Sequence, residues 1–238
     1  APRWLALYRA KKVCFAAKKS LEVMCEGYRF FKMISIVNYG RGNIYSIQNA
    51  LTFCNIKHSL AQHPDDIVNA DKLLLPGVGA FADAMRLLKK NHLDEAIIQA
   101  AKKGTSILGI CVGMQVFFDQ SDEFELCDGL KLIPGKITKI PATCSNGTPD
   151  RIPNVGWRIV NPTPTSAFGG RLDQQHHVYF THSFGAVNMR GDALKSTITV
   201  NDTVVAAAVQ NDNITALQFH PEKSATIGLE YFKVFNRI

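Results

Sequence analysis

The stretch Thr105 to Gln115, TSILGICVGMQ, constrains the chain more than any other. The apolar run Ser106 to Ile110 reads as a buried strand leading into Cys111, and Val112-Gly113 opens a segment that can start a helix. Gly-x-Cys-x-Gly between a strand and a helix is the thiol form of a nucleophile elbow. The chain reverses so sharply there that residues flanking the nucleophile have almost no room for side chains. Gly109 and Gly113 meet that demand. Such a turn lifts the sulfur to the carboxyl end of a sheet and aims the Val112 N–H at the space beside it. It also sets the thiol at a helix N-terminus, where the thiolate is favoured. Taken alone, the motif equally suits a buried structural cysteine in a tight turn. A catalytic reading needs a base, a second oxyanion donor and a pocket from elsewhere in the chain.

The surrounding pattern predicts an α/β fold with a mixed, mostly parallel sheet flanked by helices. Residues 33–37 form a short apolar strand that ends at the glycine-punctuated turn Asn38 to Asn43. Helical spacing follows over 44–54, then strands over 56–61 and 72–75, two helices around 80–90 and 93–103, and the strand 105–110. Strands alternating with helices make a largely parallel sheet covered on both faces. Gly40-x-Gly42 is not a dinucleotide fingerprint, because Tyr45 stands where the third glycine belongs. Beyond residue 125 the runs 132–140, 155–160, 178–180, 184–187, 196–200, 204–209 and 214–219 read as strands, which extend the sheet with antiparallel pieces. A helix over about 225–237 closes the chain.

Two loops supply what the elbow lacks. Pro76-Gly77-Val78-Gly79 leaves the third strand at the sheet edge that carries the elbow. An N–H from Val78 or Gly79 in this loop, with that of Val112, would make a two-donor oxyanion hole. The last strand runs into Phe219-His220-Pro221-Glu222. An imidazole there can take the proton of Cys111, and a carboxylate two residues on can hold the other ring nitrogen. Pro221 discourages helix and keeps both side chains directed to one side.

Charge and cysteine content exclude other classes. The formal charge is +7, but residues 1–32 carry eight Lys/Arg against two acids and leave only +1 for residues 33–238. The basic character therefore belongs to the N-terminal segment and is no sign of nucleic-acid binding by the body. That segment is weakly amphipathic, which leaves a transit peptide or a surface helix open. The reading preferred is an extension outside the fold, with the ordered pattern starting at Met33. The six cysteines form no CxxC pair and no cluster with zinc spacing, so no metal is expected; the thiols read as reduced, in a cytoplasmic protein. No apolar run approaches a membrane span. His176 and His177 lack an acidic or cysteine partner at ligand spacing and are read as a solvated loop.

PGVGAF, GICVGMQ and FHPEKS, in that order, closely resemble the class I (triad) glutamine amidotransferases over residues 33–238. Tyr39-Gly40-x-Gly42-Asn43 and Gly156-Trp157 sharpen the likeness to glutaminase subunits of imidazole glycerol phosphate synthase. The resemblance implies the flavodoxin-like fold of that family, with no cofactor. It implies that Cys111 attacks the amide of glutamine, His220 shuttles the proton and Glu222 orients His220. It further implies that Gly77, Gly79, Gln115, His182 and Ser183 contact glutamine. Ammonia would pass to a (β/α)8-barrel synthase subunit facing Asn43, Trp157, Tyr179 and Lys223. The glycines of PGVG permit a flipped resting peptide, in which case glutamine turnover would stay low until the partner binds its ligand. The chain departs from the family pattern at Asn38 and at Asn154-Val155. These differences keep open a paralogue feeding ammonia to a nucleotide-sugar amidation step. A cysteine peptidase-like or chaperone-type protein of the same fold would not need Gln115, His182-Ser183 or the His-Pro-Glu order.

Overall fold

The computed structural model describes residues 32–147 and 152–238; the expectation for the N-terminal segment lies outside the described residues up to position 31. Met33–Ile238 form one contact unit. Its first half contains β1 (Ile34–Val37), α1 (Ile44–Phe53), β2 (His58–Ala61), α2 (Pro64–Val68), β3 (Lys72–Leu75), α3 (Phe81–Lys90), α4 (Leu93–Lys102) and β4 (Ser106–Ile110). Every residue of β1 and β3 is buried. Strands covered on both faces have no solvent side to leave polar, which is why they read as continuous apolar runs. The helices instead bury one stripe: Phe81, Ala84, Met85 and Leu88 in α3, with Asp83, Lys89 and Lys90 turned away.

Lys72 breaks the apolar rule in β3. Its side chain is 1% exposed, and Nζ donates to Phe235 O at 2.9 Å and Asn236 O at 2.7 Å. These carbonyls end the last helix, α6 (Ala225–Arg237), so the buried cation meets the negative end of a helix dipole.

The second half holds the elbow turn α5 (Val112–Gln115), then β5 (Phe118–Ser121), β6 (Cys127–Asp128), β7 (Ile133–Lys139), β8 (Asn154–Pro162), β9 (His176–His182), β10 (Phe184–Gly185), β11 (Leu194–Val200), β12 (Thr203–Asn211) and β13 (Ile214–Leu217). One nine-stranded sheet runs β2-β1-β3-β4-β13-β12-β11-β8-β9. Its first five strands are parallel and the rest antiparallel. The expected antiparallel extension is therefore present, joined through β13.

Three features depart from the sequence reading. A second sheet, β10-β7-β5-β6, assembles from strands of two to seven residues. α2 begins at Pro64 and is closed at its start by Asp66, whose Oδ2 accepts from Gln62 N and His63 N at 3.1 Å each. His176 and His177 lie in β9 and not in a solvated loop. His177 is exposed, but His176 is half-buried against α6, with Nε2 2.9 Å from the Tyr231 hydroxyl.

Candidate active site

β4 delivers Cys111 to the centre of the parallel sheet's carboxyl edge. Cys111 has φ +56° and ψ −113°, a conformation that costs a non-glycine residue about 1–3 kcal/mol. Surrounding bonds impose it: Cys111 N donates to Leu217 O at 2.8 Å, and Cys111 O accepts from Met114 N and Gln115 N. A Cβ on Gly113 would sit 2.0 Å from Leu75 O, and one on Gly77 would sit 2.4 Å from Gly113 N. Elbow and PGVG loop are thus packed backbone on backbone.

Gly77 is spent on packing and does not line the cavity around Cys111, whereas Val78, Gly79 (φ +96°) and Val112 do. Val112 is the first residue of α5, so its N–H has no intrahelical partner and is available to an oxyanion.

His220 follows β13 after two intervening residues, Gln218 and Phe219. Its N–H donates to Tyr179 O at 2.9 Å, its carbonyl accepts from the Ser224 hydroxyl at 2.6 Å, and Tyr179 N donates to the same Ser224 oxygen at 3.0 Å. β9 thus curls back to hold the His-Pro-Glu turn. Pro221 does not exclude helix; it opens a 3-10 turn, Pro221–Lys223, in line with its fixed φ. The turn sets His220 Nδ1 2.8 Å from Glu222 Oε1, with both side chains almost wholly buried. His220 Nε2 has no partner of regular hydrogen-bond geometry among the described residues. Burial disfavours the imidazolium. Contact with the Cys111 sulfur, the Glu222 hydrogen bond and both attractions outweigh it and lift the His220 pKa to about 10.

A cavity of about 280 Å³ opens over Cys111, bounded by Val78, Gly79, Val112, Gln115, Glu123, His182, Ser183, Phe184 and His220. Gln115 reaches it with one end only, because Nε2 is engaged by Phe184 O and Gln218 Oε1 at 3.0 and 3.1 Å. Its Oε1 is the atom free to accept from a ligand. His182 lines the cavity, yet Nδ1 lies 2.9 Å from Phe184 O and Nε2 2.9 Å from Asn154 Nδ2. With both ring nitrogens engaged by the protein, its contact with a ligand is not through them. Burial above all pushes its pKa down to about 4, so the ring is neutral.

Sequence reasoning missed Glu123 and Gln218. Glu123 projects into the cavity from the loop after β5 and accepts from Phe81 N at 2.7 Å; burial raises its pKa. No periodicity marks it. Gln218 is fully buried beside Cys111, and its place directly before Phe219-His220 was the available signal.

Trp157, Tyr179 and Lys223 form one patch: the two rings meet edge to face at 6.2 Å, and Lys223 Nζ lies 5.8 Å from the Tyr179 centroid. Val155 and Ile159, on the same face of β8, are about half exposed and extend it. Asn43 caps α1. No group of three or more potential metal-ligating side chains occurs among the described residues, and none of their helices is long and apolar enough to cross a membrane.

Residues 35–236 match the family model of glutamine amidotransferase class-I. The chain belongs to this family. It is therefore a glutamine amidotransferase. It is 37% identical over 207 residues to imidazole glycerol phosphate synthase subunit HisH of Geobacillus sp. (strain WCH70), covering 87% of this chain and 97% of that relative. It is 38% identical over 207 residues to the same-named subunit of Oceanobacillus iheyensis, covering 87% and 99%. The fold is shared with a solved structure described as a glutamine amidotransferase (TM-score 0.65, 14% identity, covering 86% and 97%). It is also shared with a chain of PurLQS from Thermotoga maritima (TM-score 0.64, 20% identity, covering 87% and 98%).

Proposed function

We propose that the chain is the glutaminase subunit of an imidazole glycerol phosphate synthase and that Cys111, His220 and Glu222 are its triad. The observation that carries this reading is the strained Cys111 under the cavity, facing an imidazole backed by a buried carboxylate. The sulfur attacks the side-chain carbonyl carbon of glutamine, and the developing oxyanion meets the N–H of Val112 and one from Val78 or Gly79. The C–N bond then breaks as the imidazolium of His220 protonates the leaving nitrogen, releasing ammonia. Neutral His220 next removes a proton from water, which splits the thioester to glutamate and returns the thiol. Glu222 keeps the ring in the tautomer with hydrogen on Nδ1. Gly79, Gln115, Ser183 and the wall at His182 hold the substrate, and the Glu123 carboxylate suits its α-ammonium.

The ammonia passes to a (β/α)8-barrel subunit, which forms imidazole glycerol phosphate and AICAR in histidine biosynthesis. The aromatic patch at Trp157 and Tyr179, with Lys223 and Asn43, is the surface assigned to that partner. Supporting this are the subunit names of relatives 34–38% identical over most of their lengths. Asn154-Val155, where the family pattern has His-Met, favours the paralogue that serves a nucleotide-sugar acceptor as a second reading.

The test is glutamate release from glutamine with and without a barrel subunit, followed by coupled assays with the imidazole-pathway intermediate and with sugar acceptors. Cys111→Ala is expected to release no glutamate. Persistent release would remove the triad from the mechanism, and coupling to a sugar acceptor alone would select the paralogue.

A further inference from the structure

Two hydrogen-bonded arms meet at the Phe184 carbonyl, and together they join the Cys111 sulfur to the outer strands of the sheet. Arg158 has only donors. Its Nε lies 2.8 Å from Asn154 Oδ1, so the Asn154 amide presents Nδ2 to His182 Nε2 at 2.9 Å. That ring nitrogen must accept, which places the ring proton on Nδ1, 2.9 Å from the Phe184 carbonyl. The same carbonyl accepts from Gln115 Nε2 at 3.0 Å, and the second hydrogen on that nitrogen goes to Gln218 Oε1 at 3.1 Å. Gln218 is left with Nε2 directed at Cys111 Sγ, 3.9 Å away.

A group that can only donate and a carbonyl that can only accept decide every amide orientation between them. Turning Gln218 over would set nitrogen against nitrogen at Gln115. Gln115, Asn154, His182 and Gln218 are all at most 6% exposed, so water does not compete for these bonds.

We infer that Gln218 is a positioning residue that donates an N–H to the Cys111 sulfur, and that the Phe184 carbonyl, acting through Gln115, holds that donor in direction. The inference rests on Cys111 being the nucleophile. An N–H on the sulfur favours the thiolate and fixes where its lone pairs point, while the site keeps His220 as proton carrier. Among the described residues, the titratable groups set against the sulfur are His220, backed by Glu222, from the turn after β13, and Tyr39 after β1, itself near Arg41. His182 in β9 and Glu123 after β5 line the same cavity, and Arg158 of β8 lies near His182. Neutral His182 adds no charge to compete with His220, consistent with its lowered pKa.

The experiment measures alkylation of Cys111 by iodoacetamide against pH on the full chain, beside kcat and KM for glutamine. Gln218→Met keeps length without a donor, and Gln218→Glu sets an acceptor oxygen against the sulfur. In Gln218→Met the alkylation midpoint is expected to rise by about one pH unit, and further in Gln218→Glu. In both, kcat falls about tenfold or more while KM stays within about twofold. Gln115→Met, which removes the donor that holds Gln218 Oε1 and so frees the Gln218 amide to turn over, should shift the midpoint in the same direction but less. Unchanged alkylation profiles in folded Gln218 variants would overturn the inference. If both Gln218 variants lose the fold, an unchanged profile in Gln115→Met does so. Because alkylation reads the sulfur without turnover, a shifted profile in a chain that releases no glutamate even with a ligand-loaded barrel subunit present would sink the glutaminase reading and leave the contact standing.

Discussion

At Cys111 an unfavourable backbone conformation and a favourable electrostatic setting occupy one residue. The φ of +56° turns the sulfur out of the strand, and His220 beside it is held as imidazolium over an unusually wide range. A raised histidine pKa contributes stability that is complete below the unfolded value of 6.5 and lost as pH climbs through about 10. Replacing Glu222 with Gln removes the negative charge behind that imidazolium. Glu222→Gln is expected to lower kcat about a hundredfold or more. Its alkaline loss of activity should move down from near pH 10. A pH–rate profile checks both, and an alkaline limb left in place would assign the raised pKa to the sulfur alone. His182 works in the opposite direction: its pKa is depressed to about 4, so the unfolded chain binds the extra proton first. Stability should therefore fall as pH drops from 6.5 towards 4, and urea midpoints for wild type and His182→Gln should converge there.

Among the elements, the elbow and the PGVG loop act as one piece because glycine lets their backbones touch. The 2.0 Å between a Gly113 Cβ and Leu75 O cannot be relieved by turning a side chain, since both walls are main chain. Gly113→Ala is expected to cost about 1–3 kcal/mol or more and to reduce glutamate release beyond its loss of folded protein. Chemical denaturation and activity per folded molecule measure the two parts, and a variant normal in both would show that the loops move apart easily. The same contact explains a limit of the sequence. Gly77 and Gly79 look alike in PGVG, yet one packs on the elbow and the other lines the cavity. Only the packing of the loop against the elbow tells them apart.

Over the whole molecule, the sheet's antiparallel half bends back until β9 hydrogen-bonds the His-Pro-Glu turn. The exposed Trp157–Tyr179 patch thereby lies one backbone hydrogen bond from His220, through Tyr179 O. A partner seated on this face would touch the strand that positions the base. Trp157→Asp is expected to weaken association with a barrel subunit by about 2 kcal/mol or more without changing the circular dichroism of the free chain. Calorimetric titration reads it, and unaltered affinity would move the interface elsewhere.

The alternation of strands and helices, the strand–elbow–helix at Cys111 and the His220–Glu222 pair were legible in the sequence. Each is encoded within a few residues, by apolar period, by glycine where no side chain fits, or by two side chains flanking a proline. What tertiary structure alone decided depends on residues far apart in the chain. The second sheet draws two-residue strands from separate loops, and Glu123 reaches the cavity from a loop with no periodic signal. His182 yields both ring nitrogens to Asn154 and Phe184, and Gln218 receives its orientation from the Phe184 carbonyl through Gln115, residues that share no motif. Hydrogen-bond direction in a buried network is a property of the closed set of donors and acceptors, and that set exists only once the strands have come together.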